Sequence, residues 1–470
     1  MLTLGIDAST QSVKALVYDS EARRVVTTVS VNFGRNLPEF GSPDGFLPNP
    51  DMSVRRANPL MWLAALEMVL GKLQATFDTS SIAAIGGDGQ QHGSVYLNAK
   101  WFPALRAIRD SRTSRPESLC AAVSPCLSRR ESPIWMDTST TAECRALDRR
   151  FGGYLRETTG SPAIERFTLP QIMKFVREEP AAYDATARIH LVSSFLCSVL
   201  SGEDAPVDTG DGAGMNALNL RTLAWDEDIC GFAAPGLVKR LPSVCPPGAA
   251  CPLRLAPYFE KFGFRPGIPV VPFTGDNPAS LVGTGADKPG VAVVSLGTSD
   301  VFFAAMDSFQ TDPDGYGHVF GNPSGGFMSL ACFKNGSLAR ERVRAMIGCD
   351  YTFFDETAFE RAKGTGRAFP YFESEITPIH PATGIEADFD WDAADNADKV
   401  VSVIRGQVGN MFDRTRWIGM FDEIRVTGGA SRSRGIRETI ASTFGARVKV
   451  LEVTDSAALG GAILATRQVK

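Results

Sequence analysis

At 470 residues the chain is too long for one ordinary core, and two or three domains are expected. With 44% hydrophobic and 21% charged residues it has a globular composition, which excludes a disordered, fibrous or disulfide-stapled chain. The 48 basic and 53 acidic residues leave a net charge of −5, which gives no global electrostatic reason to hold nucleic acid or an anionic membrane.

Residues 2–6 are apolar, Asp7-Ala8-Ser9-Thr10-Gln11-Ser12 is polar, and residues 13–18 are apolar again, a pattern that predicts strand, turn, strand. A third strand is expected over 25–33. Asn58 followed by Pro59, with Leu63, Leu66, Leu70 and Leu73 at helical spacing, predicts a capped helix. Residues 82–85 read as a short buried strand ending in Gly86-Gly87-Asp88-Gly89. The longest greasy run, over residues 189–200, is broken by serines and too short to span a bilayer. Residues 241–250 are rich in chain breakers and are the expected boundary between domains 1–249 and 250–470. Beyond it the opening grammar returns: residues 291–295 are apolar, Leu296-Gly297-Thr298-Ser299-Asp300 is polar, and 301–305 are apolar. A last passage runs from Ile424 through Thr427-Gly428-Gly429-Ala430-Ser431 into a helix expected at 437–444. Two related α/β domains follow from this repetition.

The nine cysteines contain no C-x-x-C pair, and four histidines supply too few partners for a Cys/His metal site. Scattered thiols of this kind point to the reducing cytoplasm. The opening residues carry no basic or long apolar leader, so no secretory signal is expected.

Three passages could carry chemistry together. The turn Asp7-Ala8-Ser9-Thr10-Gln11 offers amides, hydroxyls and a carboxylate at the ends of two strands, which suits a phosphate and a divalent cation. Ser295-Leu296-Gly297-Thr298-Ser299 repeats it without the leading aspartate. Thr427-Gly428-Gly429-Ala430-Ser431 offers a flat platform for a base or ribose. Singly, each is as readily a plain turn; three in one chain are harder to explain by chance. No G-x-x-x-x-G-K-[ST] occurs, so a P-loop nucleotidase is excluded.

Thr274-Gly275-Asp276-Asn277-Pro278 places a carboxylate at the end of the apolar run 268–273, where α/β sheets bind ligands. Asp276 there could take a hydroxyl proton so that an alcohol attacks phosphorus, or could simply cap the helix that follows. Gly89-Gln90-Gln91-His92-Gly93 sets three hydrogen-bonding side chains between glycines, which suits a polyhydroxylated small molecule.

Taken in order, these passages resemble the FGGY carbohydrate kinases, and within that family the eukaryotic-type xylulokinase branch. Longer phrases carry the resemblance across nearly the whole chain: Asn36-Leu37-Pro38-Glu39-Phe40-Gly41, Trp135-Met136-Asp137, Glu165-Arg166-Phe167-Thr168 and Cys332-Phe333-Lys334-Asn335-Gly336. The resemblance implies an actin-like ATPase fold of two RNase H-like α/β domains, each on a five-stranded sheet, with an interdomain cleft. Sugar would belong to the N-terminal domain and ATP to the C-terminal one. It further implies ATP-dependent phosphorylation of D-xylulose at O5. His92, Arg166, Asp276 and Asn277 would hold the ketose, with Asp276 as catalytic base. Asp7, Ser9, Thr10, Gln11, Gly297, Thr298 and Ser299 would serve the phosphates, and Gly428, Gly429, Ala430 and Ser433 the nucleoside. Asp7 and Asp276 would flank Mg²⁺. Ser139 stands where many bacterial relatives carry an arginine, and Phe353 or Phe354 is the expected substitute for a base-stacking aromatic. The rival within the family is a kinase for another pentulose or a polyol. The rival from another class is an actin-like ATPase that works by conformational change. Expected partners are a small ketose and ATP, with no nucleic acid and no membrane. Oligomeric state is left open, a homodimer being one option.

Overall fold

The computed structural model describes residues 1–111, 116–249, 251, 253–452 and 454–467. It divides into two compact units. One comprises Met1–Gly283, Phe320–Gly326 and Asp455–Lys470; the other comprises Thr284–Val319 and Phe327–Thr454.

The first unit is built on strands β1 (Leu2–Ala8), β2 (Ser12–Asp19) and β3 (Arg24–Asn32), the helix α1 (Pro59–Thr76), then β4 (Ile82–Gly89) and β5 (Thr274–Gly275). The sheet order is β5-β4-β1-β2-β3, with β1 antiparallel to β2 and parallel to β4. The expected third strand stops one residue early, because the Asn32 side chain accepts from the Arg35 amide and starts a short helical turn at Phe33. The Asn58 side chain accepts from the Leu60 amide and caps α1, which buries Leu63, Leu66, Leu70 and Leu73. Strand β4 runs straight through the glycine-rich stretch that sequence placed after its end, so Asp88 is a strand residue. The apolar run 268–273 meets β4 only through a bridge between Ile85 and Val270, and regular pairing begins at Thr274. Pro269 and Pro272 remove the amide donors that a longer strand would need.

Residues 241–249 lie inside this unit, where Val244–Cys245 pairs with Val207–Asp208. Residue 250, the first of the expected second domain, lies outside the described residues. The compact division instead falls at 283/284, because β5 and the following helix α2 (Asp276–Gly283) complete the first sheet.

The second unit contains β6 (Val291–Leu296), β7 (Asp300–Met306), the first two residues of β8 (His318–Gly321), β9 (Phe327–Phe333), α3 (Ser337–Ile347), β10 (Glu423–Thr427), α4 (Arg434–Phe444) and β11 (Arg447–Val450). Its sheet order is β8-β9-β7-β6-β10-β11. Without the short edge strand β8, this repeats the order and directions of the first sheet; with it the sheet has six strands rather than the five expected. Helix α4 begins at Arg434, earlier than the apolar pattern indicated, because the Ser433 hydroxyl caps it.

The last helix, α5 (Ser456–Arg467), returns to the first unit. Gly5 of β1, Gly86 of β4 and Gly283 of α2 let its backbone approach so closely that a Cβ at any of them would collide with a carbonyl of residues 456–461. One helix thereby fixes the two central strands and the helix that starts at Asp276. No helix among the described residues is long and apolar enough to cross a membrane.

Candidate active site

Register across the first sheet creates a polar row. Thr274 pairs with Asp88, Asp88 with Asp7, and Asp7 with Lys14. Cross-strand neighbours share a face, so three strands bring two carboxylates and an ammonium together near the strand ends. Asp88 is 0% and Asp7 5% exposed. Among the described residues no hydrogen bond reaches Asp7 Oδ1 or either Asp88 oxygen. Burial and the Asp7 charge hold the Asp88 carboxyl well above the usual range. Burial also raises that of Asp7, partly offset by Lys14, whose Nζ lies 3.9 Å from Asp7 Oδ2. For Lys14, burial opposes the charge, but its hydrogen bond to Asp455 and the nearby carboxylates outweigh it and keep the ammonium protonated.

Asp276 opens α2. Its carboxyl keeps some open surface but lies deep among protein atoms, and that burial, followed by the charge of Asp7, pushes it up to about 7. Asn277 braces it: its backbone amide donates to Asp276 Oδ1 at 2.8 Å and its Nδ2 to the same oxygen at 3.0 Å. Asn277 Nδ2 also donates to Gln91 Oε1 at 2.8 Å, which ties the Gln90-Gln91-His92 loop to the candidate base.

His92 is buried in a left-handed backbone conformation, φ +69°. Its ring stacks on Phe167 at 4.3 Å, and Nδ1 lies 2.8 Å from the Gly214 carbonyl. A carbonyl only accepts, so Nδ1 is the donor in this bond. The half-buried Arg166 guanidinium sits 5.7 Å from the Phe167 ring centre. Phe167 therefore joins the two residues expected to hold sugar.

The first turn is more internally bonded than its sequence suggested. Ser9 Oγ donates to the Ser12 carbonyl, the Gln11 carbonyl accepts from the Phe33 amide, and Trp135 Nε1 donates to Thr10 Oγ1 at 2.8 Å. Asp137 accepts from Arg55, Ser139 and Gln171, a structural role. At Ser139 a cation is still supplied, because Lys174 Nζ donates to its hydroxyl at 2.6 Å.

Within the second unit a cavity of about 450 Å³ is lined by Leu296, Gly297, Thr298, Gly429, Ala430 and Ser433, among others. Ser299 and Gly428 are not among its lining residues. Gly428, at φ +91°, makes the close turn against the Leu296 backbone that brings Gly429 to the wall. Asp300 would put a negative charge beside the cavity, but Arg340 neutralises it with two hydrogen bonds of 2.6 and 2.8 Å. Of the expected aromatics, Phe354 lines the cavity and Phe353 does not. Tyr351, 57% exposed, forms another part of the wall, its hydroxyl donating to Glu341 Oε2 at 3.1 Å and its ring 4.2 Å from Arg344.

Sequence reasoning missed Lys14, Asp88, Asp211, Asp455 and Tyr351 as site or near-site residues. Asp211 is fully buried, accepts from Ser193 Oγ, and burial holds its carboxyl well above the usual range. Lys14 had one available signal, its place opposite Asp7 once the hairpin is drawn.

Comparison with known proteins bears on both units. The model of the FGGY family of carbohydrate kinases, N-terminal domain, matches residues 130–283, and that of the C-terminal domain matches residues 292–469. The Xylulose kinase of Rattus norvegicus is 38% identical over 474 residues, covering 98% of this chain and 87% of its own. Xylulose kinase 2 of Arabidopsis thaliana is 36% identical over 490 residues, covering 99% and 86%. The crystal structure of xylulose kinase from Bifidobacterium adolescentis shares the fold with a TM-score of 0.81 at 22% identity, covering 100% of this chain and 93% of the other.

Proposed function

The chain belongs to the FGGY family of carbohydrate kinases, and on that premise we propose that it transfers the γ-phosphoryl group of ATP to O5 of D-xylulose. The named activity of relatives that span nearly the whole chain supports the substrate. The observation that carries the chemistry is Asp276, a carboxyl pushed up to about 7 and braced by Asn277 at the start of a helix. A base with that value is half ionised near neutrality, where it both accepts a proton readily and is present in its ionised form.

We assign the ketose to the first unit and the nucleoside to the second. Arg166 offers donors to sugar hydroxyls, and Asn277 Oδ1 and the His92 ring offer further polar contacts. Asp276 takes the O5 proton as O5 bonds to phosphorus; the bond from phosphorus to the β–γ bridging oxygen breaks, and ADP leaves. Gly429 and Ala430 give the nucleoside a surface without bulky side chains, with Tyr351 and Phe354 as the aromatic walls. Gly297 and Thr298 extend that wall towards the phosphates.

Asp7 and Asp276 suit a divalent cation of the Mg²⁺ type. Among the described residues no donor satisfies Asp7 Oδ1, and no cluster of three His, Cys, Asp or Glu forms an all-protein cage. Mg²⁺ is ordinarily held by one or two carboxylates together with substrate phosphates, the arrangement these residues offer. When bound it would neutralise charge on the phosphates. Among the described residues no disulfide links the cysteines, consistent with the cytoplasmic setting that we propose.

The test is ADP release by the purified chain across a panel of ketoses, aldoses and polyols. D-xylulose should give the highest kcat/KM. A preference for another pentulose or a polyol would overturn the substrate, and sugar-independent ATP hydrolysis at the same rate would overturn the kinase reading.

A further inference from the structure

The residue that holds Lys14 comes from the far end of the chain. Lys14 Nζ donates to Asp455 Oδ1 at 2.9 Å, while Asp7 Oδ2 is 3.9 Å away. Asp455 is therefore its nearer partner. It is also firmly placed: its carbonyl accepts from the Leu459 amide in the first turn of α5, and the next residue, Ser456, bonds Ser280 of α2 at 3.1 Å. The close glycine contacts of α5 with β1, β4 and α2 remove any freedom to slide. Lys14 emerges beside Asp7 from β2, immediately after the turn formed by Ser9, Thr10 and Gln11.

We propose that Asp455 is a positioning residue that aims the Lys14 ammonium at the terminal phosphate of the bound nucleoside triphosphate. This rests on the reading that the Asp7 turn takes that phosphate. A lysine stem has four rotatable carbons, and without an anchor its charge is spread over many conformers. Asp455 selects one of them, in which the ammonium stands over the Asp7 carboxylate. Three donors on one ammonium allow it to keep Asp455 and still reach a phosphate oxygen. Asp455 itself touches no substrate; it acts through Lys14.

The experiment is titration calorimetry of Mg²⁺ complexes of a non-hydrolysable ATP analogue and of ADP with the full chain, its Lys14→Met and Asp455→Asn variants, and the double variant. Asparagine caps a helix as well as aspartate does, so Asp455→Asn should fold. Asp455→Ser is the second variant, and thermal unfolding checks both. Lys14→Met should weaken the triphosphate analogue roughly 10- to 150-fold, as loss of a charge-assisted hydrogen bond does, and ADP much less. Asp455→Asn should weaken the analogue roughly 5- to 50-fold and should add nothing once Lys14 is gone. Equal loss for ADP and the analogue, additive loss in the double variant, or no loss in Asp455→Asn would overturn the positioning role. An unaltered analogue affinity in Lys14→Met would instead overturn the phosphate reading of the Asp7 turn.

Discussion

Asp88 stands in register with Asp7 on the parallel pair β4 and β1, and among the described residues no hydrogen bond reaches either Asp88 oxygen or Asp7 Oδ1. Such a pair is stable with one proton between them and strained when both ionise. The Asp88 carboxyl is held well above its unfolded value by burial and then by Asp7. Its cost to folding is absent below the unfolded pKa and grows as pH rises towards the folded one.

Asp88→Asn keeps the shape and removes that cost. The variant should melt a few degrees above the parent at about pH 8, with the gap closing by about pH 4. Thermal unfolding at the two pH values checks it. A variant that is less stable at the higher pH would show that the Asp88 charge is compensated by a contact other than Asp7.

His92 stacks on Phe167 and its Nδ1 lies 2.8 Å from the Gly214 carbonyl, which fixes the ring in the loop proposed to hold the sugar. His92→Ala should raise the KM for D-xylulose roughly 5- to 150-fold, the loss expected when a buried hydroxyl goes unsatisfied. The KM for ATP should move little. Steady-state kinetics with each substrate varied in turn decides between this and a purely structural histidine, which would disturb both.

Local chemistry was legible in the sequence and register was not. Asn58 and Pro59 announced α1, and the polar turns after residues 6 and 295 announced both hairpins, because caps and turns are written in neighbouring residues. Asp276 and Asn277 stood out for the same reason. Asp88, although visible in a glycine-rich run, gained meaning only when β4 paired with β1 and set it opposite Asp7. Asp455 and Lys14 lie at opposite ends of the chain, and only the glycine packing of α5 brings them together. Ser299 and Gly428 matched their motifs yet do not line the cavity, since the turn that makes room for Gly429 directs Gly428 against Leu296. The apolar run 268–273 meets β4 through a single bridge, since Pro269 and Pro272 deny it the hydrogen bonds of a regular strand, a loss that its apolar pattern does not register.

Gln91 offers a way to tune the candidate base without touching it. Its Oε1 accepts from Asn277 Nδ2, and Glu at that position preserves the acceptor while adding negative charge next to Asp276. Like charge disfavours ionisation, so Gln91→Glu should move the acid limb of the kcat/KM profile to higher pH. An unmoved limb would mean that Asp276 is not the group titrating in that limb.

The central claim is that Asp276 accepts the sugar proton. Because its carboxyl is raised to about 7, it is protonated and inactive below that value and ionised above it. The parent kcat/KM should therefore rise with pH to a plateau above neutrality. The most direct measurement is single-turnover phosphoryl transfer to D-xylulose by Asp276→Asn, followed across pH, with ATP binding measured on the same sample. The account predicts a rate lower by roughly 10²- to 10⁴-fold, loss of the acid limb, and retained ATP affinity. A folded Asp276→Asn variant that transfers phosphate at close to the parent rate would contradict it and leave Asp276 as the opening residue of a helix.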